Sequence, residues 1–304
     1  MLKPLLPFFL RLVFLQYIHF EKRFSSNTCI AYQNDLEQFA KFLHLNNLTS
    51  DINDVTHQII RSWLSSLVEN GIDTRSVNRK ISVLKSYYKF LIKENEIKTN
   101  PMNKIVSPKM SKKITPYIEE ENLIKMLEEE ETKEGYCETR NYLILEIFYE
   151  AGIRISELIN IKIEDIDIHN LTLKVLGKRN KERIIPITKI LKDKIILYLE
   201  LKEKEVFTNL GEENYLFLTK KGKKVYPKFV YRIVLYYLSR ITTNKKKSPH
   251  VLRHTFATHM LNHGADLNAI KEILGHSNLS ATQIYSHNSI NKLKNIYKQA
   301  HPRA

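Results

Sequence analysis

The sequence predicts a mainly α-helical protein of the α+β class, divided into a helical N-terminal domain and a mixed α/β C-terminal domain with a small antiparallel β-hairpin. Three observations carry this. Apolar residues recur at three- and four-residue steps between residues 25 and 95, the period of helices that bury one face. That period stops from Asn100 to Thr115, where Asn-Pro, Ser-Pro and Thr-Pro steps alternate with lysines. Proline steers the residue before it away from the α region, so this stretch reads as a linker. Beyond it, Leu171–Leu176 and Ile184–Ile187 are short β-like runs around a polar turn, the pattern of a hairpin. A chain of 304 residues also exceeds the usual single domain. The boundaries drawn are 1–97, a linker over 98–115, and 116–304.

The elements follow in order. Residues 1–15 hold an apolar run that Arg11 interrupts and no small-x-small cleavage pattern follows, while Phe14, Tyr17 and Ile18 continue a helical face. A first core helix is expected here in place of an export signal. Tyr32, Leu36, Phe39, Ala40 and Leu43 form the stripe of the next helix. Ile60, Trp63, Leu64 and Leu67 form that of a third, closed by Gly71, since glycine accepts the left-handed C-terminal cap. A further helix begins after Thr74 as N-cap and buries Val77, Ile81, Leu84, Tyr88 and Leu91, which leaves Arg75, Arg79, Lys80 and Lys85 mostly on its polar side. Such a side suits phosphates and plain solvent equally.

Past the linker, Glu119, Glu120 and Glu121 suit the positive end of a helix dipole, and an apolar helix is expected from Tyr142 to Glu150. The hairpin turn is Gly177-Lys178-Arg179-Asn180-Lys181, and helical patterns resume at Ile190–Leu201 and Lys228–Ile241. Ser248 as N-cap and Pro249 at the first helical position open another helix, which sets His250 and Arg253 on one face of its first turn. Free N–H groups at that end favour an anion, so the imidazole and guanidinium together make a phosphate clamp. Leu274-Gly275-His276 closes a short helix, and Tyr285 follows nine positions after His276.

Composition narrows the function. Forty-eight Lys and Arg against 33 Asp and Glu give a formal charge of +15, which favours a polyanionic partner, nucleic acid ahead of a membrane surface. No stretch has the apolar length of a bilayer span, so a soluble chain is expected. Cys29 and Cys137 have neither metal-ligand nor redox spacing, which points to a reducing, cytoplasmic setting. His250 with His254, and His259 with His263, are i, i+4 pairs, but neither carries the glutamate of a metalloprotease helix and no cysteine cluster accompanies them. No metal is expected.

His250-x-x-Arg253, then Gly275-His276, then Tyr285, preceded by Ala151-Gly152-Ile153-Arg154-Ile155-Ser156-Glu157-Leu158, resemble the tyrosine recombinase, or phage integrase, family. The turn from Gly177 to Arg183 is similar to that family's lysine-bearing hairpin. Asn27-Thr28 through Leu43, the helix after Thr74, the stretch from Asn100-Pro101 to Pro108-Lys109, and the ending His301-Pro302-Arg303-Ala304 resemble the Xer subgroup.

This resemblance implies a SAM-like core-binding domain followed by a catalytic domain. It further implies a DNA strand transferase with the catalytic set Arg154, Lys178, His250, Arg253, His276 and Tyr285, the last as nucleophile. Thr28, Tyr32, Arg75, Arg79, Lys80, Lys85, Lys181 and Arg183 are the candidate DNA contacts. No cofactor, metal or ATP is implied. The partners would be a double-stranded DNA target site and a homo- or heterotetramer whose C-terminal segments dock cyclically, with Leu293, Ile296 and Tyr297 as apolar contacts. Whether the chain works with a paralogous recombinase, and whether a septal DNA translocase activates it, the sequence leaves open.

The implied role is chromosome-dimer resolution at cell division. A mobile-element integrase is the alternative, and a non-catalytic DNA-binding protein on the same fold is disfavoured by the intact set. Two features depart from the family pattern: Arg179 stands where relatives commonly have Gly, which alters the reach of Lys178, and the apolar residues 1–13 exceed the usual start.

Overall fold

A computed structural model describes residues 8–46, 48–49, 51–110, 116–131, 135–177, 181–209, 211–275 and 287–303. The chain forms two compact units, residues 1–113 and 114–304, each with its own apolar core.

In the first unit the helices are α1 (Phe8–Gln16), continued by a π-turn at Tyr17–Glu21, then α2 (Ser26–Leu45), α3 (His57–Glu69) and α4 (Thr74–Lys93). Phe14 is fully buried and packs 5.2 Å from Tyr87 and 5.4 Å from Phe90, and Ile18 is buried beside it. Phe14 and Ile18 thus belong to the core, as their helical spacing predicts. Phe39 and Trp63 meet at 4.8 Å between α2 and α3; each such buried side chain contributes roughly 1.5–3 kcal/mol. Asp73, not Thr74, caps α4, accepting from the Ser76 N–H at 3.1 Å; carboxylate and hydroxyl are near-equal caps, so the start shifts by one residue.

The second unit comprises α5 (Glu120–Glu131), α6 (Tyr136–Ala151), the single turn α7 (Ile155–Leu158), strands β1 (Ile166–Asp167), β2 (Thr172–Leu176) and β3 (Glu182–Pro186), then α8 (Lys189–Lys204), α9 (Pro227–Ile241), α10 (Pro249–Asn262), α11 (Leu267–Leu274) and α12 (His287–Ala300). The strands form an antiparallel sheet in the order β1-β2-β3, with Leu173 opposite Ile185 and Val175 opposite Arg183. Because side chains alternate along a strand, these four share the inner face. The expected hairpin is present, and β1 extends it by a two-residue strand too short to produce a pattern.

α6 is the central helix, buried from Tyr142 to Ala151 and flanked by α5, α8, α9 and α10. It carries two buried carboxylates. Lys194 of α8 meets Glu146 at 2.6 Å, and Thr188 donates to Glu150 at 2.8 Å. The C-terminal segment, expected on a neighbouring protomer, packs within its own chain. Leu293, Tyr297 and Ala300 are buried, Tyr297 donates to the Glu150 carbonyl at 3.1 Å, His301 stacks on Tyr297, and Arg303 reaches Glu146 at 2.5 Å. Burial holds the His301 imidazole neutral, down to about 3. Among the described residues, no helix is long and apolar enough to cross a membrane.

Candidate active site

Three helix ends converge on one point of the second unit. α6 ends at Gly152, whose φ of +55° turns the chain sharply; a Cβ here would stand 2.4 Å from the Phe256 ring and 2.9 Å from Leu274. Only glycine fits both the left-handed backbone and that space. The turn delivers Arg154 to the N-cap of α7, where Glu157 reaches back to the Arg154 N–H at 2.8 Å and also accepts from its Nη1 at 2.8 Å. Arg253 enters from the first turn of α10, its Nη1 donating to the Gly152 carbonyl at 2.6 Å and its Nη2 to the Leu274 carbonyl at 2.5 Å.

The third end is the C-terminus of α11. A helix leaves its last carbonyls without internal partners and carries partial negative charge there. Here guanidinium groups supply the partners in sequence: Arg183 Nε donates to Ile273 O at 2.7 Å, Arg253 to Leu274 O, and Arg154 Nη2 to Gly275 O at 3.4 Å. Gly275 adopts φ +65°, and a Cβ on it would lie 3.1 Å from the Arg183 side chain.

The electrostatics favour an anion. Three guanidinium groups face one carboxylate, Glu157, so these side chains carry an excess of positive charge. Arg253 is 8% exposed, and burial first, then the charges of Arg154 and Arg183, pull its guanidinium down to about 9. Burial works to raise Glu157, but the hydrogen bonds and charge of Arg183, with lesser help from Arg154, outweigh it and hold the carboxyl at about 2. An oxyanion set between Arg154 and Arg253 would relieve their repulsion, which is the arrangement that stabilises charge developing on a phosphate.

The Phage integrase family matches residues 116–292, and the Phage integrase N-terminal SAM-like domain matches residues 13–95. The tyrosine recombinase XerC of Bacillus licheniformis is 37% identical, over 96% of each chain. The chain belongs to the tyrosine recombinase family. It is an enzyme of site-specific recombination, one that cleaves and rejoins DNA strands. The tyrosine recombinase XerD of Staphylococcus haemolyticus is 38% identical over 96% of this chain and 98% of its own. The fold is that of the XerH site-specific recombinase solved in a post-cleavage complex with a palindromic difH substrate, at a TM-score of 0.69 and 21% identity over 90% of this chain and 76% of that one.

Of the six residues expected to act in this recombinase, the structure brings Arg154 and Arg253 together. His250 lies exposed on the opening turn of α10, three residues before the inward-turned Arg253. Lys178, His276 and Tyr285 lie outside the described residues.

The expected DNA contacts divide. Arg75 and Lys85 are exposed on α4; Lys181 is exposed immediately before β3, where its carbonyl accepts from the Gly177 N–H at 2.8 Å. Arg79 is half-exposed and paired with Asp35. Thr28 shares its hydroxyl with the capping Ser25 at 2.9 Å, and the Tyr32 ring packs on Phe14 and Phe24.

Two assignments are corrected. Lys80 is not on the polar side of α4: it is 4% exposed, with its ammonium 2.7 Å from Asp35 and bonded to Gln38. It lies three residues past Val77 and four before Leu84, hence within the buried stripe. Arg183 is likewise buried, forked onto Glu157 at 2.9 and 2.8 Å; β-strand alternation turns it inward beside Val175.

The sequence left Glu157 without a role, although a glutamate three residues after a helix start is itself a sign that it reaches back to the cap. Among the spare histidines, His259 is engaged by Tyr149 at 3.0 Å and by the Ile118 carbonyl at 2.9 Å, and burial lowers its pKa.

Proposed function

We propose that this recombinase resolves chromosome dimers before cell division, exchanging strands at a double-stranded target site within a tetramer. The reading rests on nearly full-length likeness to proteins named XerC and XerD, and on the clustering of Arg154 and Arg253 around an excess of positive charge. A cytoplasmic setting, a paralogous partner and an activating septal translocase belong to the same proposal. So does release of the C-terminal segment from its own chain, to dock Leu293, Ile296 and Tyr297 on the next protomer.

In this mechanism the Tyr285 oxygen attacks the scissile phosphorus, forming a 3′-phosphotyrosyl bond as the bond to the 5′-oxygen breaks. A phenol ionises near pH 10, so attack at neutral pH needs help in losing its proton, and His250 is assigned that task. Arg154 and Arg253 neutralise the non-bridging oxygens, and His276 adds a hydrogen bond. Lys178 protonates the departing 5′-oxygen. The phosphotyrosyl bond retains the energy of the phosphodiester, so a 5′-hydroxyl from another strand reseals it without ATP.

The observation that carries this reading is the pair of guanidinium groups held by backbone carbonyls rather than by carboxylates alone. Arg253→Ala is therefore expected to lower single-turnover cleavage of a nicked suicide substrate by about 10²–10³-fold, the usual loss for one preorganised oxyanion donor. DNA affinity in a gel-shift titration should change little. Cleavage near the wild-type rate would contradict the assignment.

A further inference from the structure

We infer that Arg183 is a positioning residue for the strand-transfer reaction: it occupies both oxygens of Glu157, so that Arg154 is held there through one nitrogen only and can turn its other, loosely held nitrogen to the scissile phosphate. The inference rests on the recombination mechanism proposed above. Glu157 has two oxygens and two guanidinium suitors. Arg183 takes both oxygens, Nη1 on Oε1 at 2.9 Å and Nη2 on Oε2 at 2.8 Å, whereas the Arg154 side chain touches only Oε1. A planar guanidinium and a carboxylate pair most strongly when both nitrogens meet both oxygens. Arg183 holds that bidentate seat and thereby denies it to Arg154.

Exposure divides the labour in the same sense. The Arg183 side chain is 5% exposed and its Nε is fixed on the Ile273 carbonyl, so it offers nothing to a DNA strand. The Arg154 side chain is 25% exposed, with its Nη2 on a long 3.4 Å contact to Gly275. Arg183 also packs against Gly275, the residue before His276, and lies 3.5 Å from the place a Cβ on Gly177 would take, the residue before Lys178. One buried guanidinium thus abuts the segments leading to two residues of the proposed catalytic set, His276 and Lys178. Without it, the Glu157 carboxylate would draw Arg154 into a bidentate pair, away from the phosphate.

The test is a double-mutant cycle in the full-length chain, read as single-turnover cleavage of a nicked suicide substrate at saturating protein. Arg183→Gln is expected to slow cleavage by about 30-fold or more while DNA affinity stays within about threefold. Glu157→Gln added to it should recover at least about fivefold of that loss, because no carboxylate remains to capture Arg154. A merely structural role predicts the opposite, a double variant as slow as the single one or slower.

That outcome overturns the inference, as does an Arg183→Gln chain cleaving within about threefold of wild type. If Arg183→Gln does not fold, Arg183→Lys takes its place in the same cycle, with the same two readings. The wild-type chain is the control: absence of its covalent complex would overturn the proposed mechanism itself, whereas a normal wild type with an unaffected Arg183 variant overturns this assignment alone.

Discussion

Glu157 shows how one buried side chain ties stability to the site. Its carboxyl ionises at about 2 in the folded chain against an ordinary 4.5. A depressed folded value stabilises the native state fully above the unfolded pKa, and the contribution is lost as pH falls from about 4.5 towards 2. That displacement corresponds to roughly 3 kcal/mol. Glu157→Gln should therefore be less stable than wild type at pH 6, and the gap should narrow by most of that amount on acidification to pH 2.5, measured by urea unfolding. A gap independent of pH would contradict the ion-pair account. At this scale the sequence was legible where chemistry and spacing agreed. Arg154 and Arg253 stand out by type and context, whereas Lys80 and Arg183 do not, because a basic side chain by itself suggests a surface position. Each sits on a buried stripe, three residues from Val77 in a helix and two from Ile185 in a strand, and each brings its own carboxylate, Asp35 or Glu157, into the core.

The hairpin and the end of α11 are the elements that prepare the site. β2 and β3 hold register through Leu173 opposite Ile185 and Val175 opposite Arg183, and the Gly177 N–H bonds to the Lys181 carbonyl. This bond joins the two residues that flank 178–180 in the sequence. If Lys178 is the general acid, Lys178→Ala should lose cleavage of an ordinary substrate yet regain most of it when the leaving group is a 5′-thiolate, which departs without a proton. Absence of rescue would move the role to Lys181. The apolar periodicity of α2, α3 and α4, the hairpin and the Gly275 cap could all be read in advance, because each rests on local spacing. The capping of successive α11 carbonyls by Arg183, Arg253 and Arg154 could not, since those side chains come from separate stretches of chain that only the tertiary fold brings together.

Across the whole molecule, a formal charge of +15 accompanies two units built around separate cores. The C-terminal segment lies on its own chain, with Arg303 on Glu146 and Tyr297 on Glu150. The sequence pattern marked this helix as apolar on one side, but an apolar side alone does not tell which surface will cover it. Tyr285 remains the centre of the proposed mechanism. The measurement that tests it most directly is covalent capture on a nicked suicide substrate by wild type and by Tyr285→Phe, each with its DNA affinity measured alongside. The account predicts a protein-DNA adduct with wild type and none with Tyr285→Phe, at nearly equal DNA affinity. An adduct that persists in the Phe variant would contradict it.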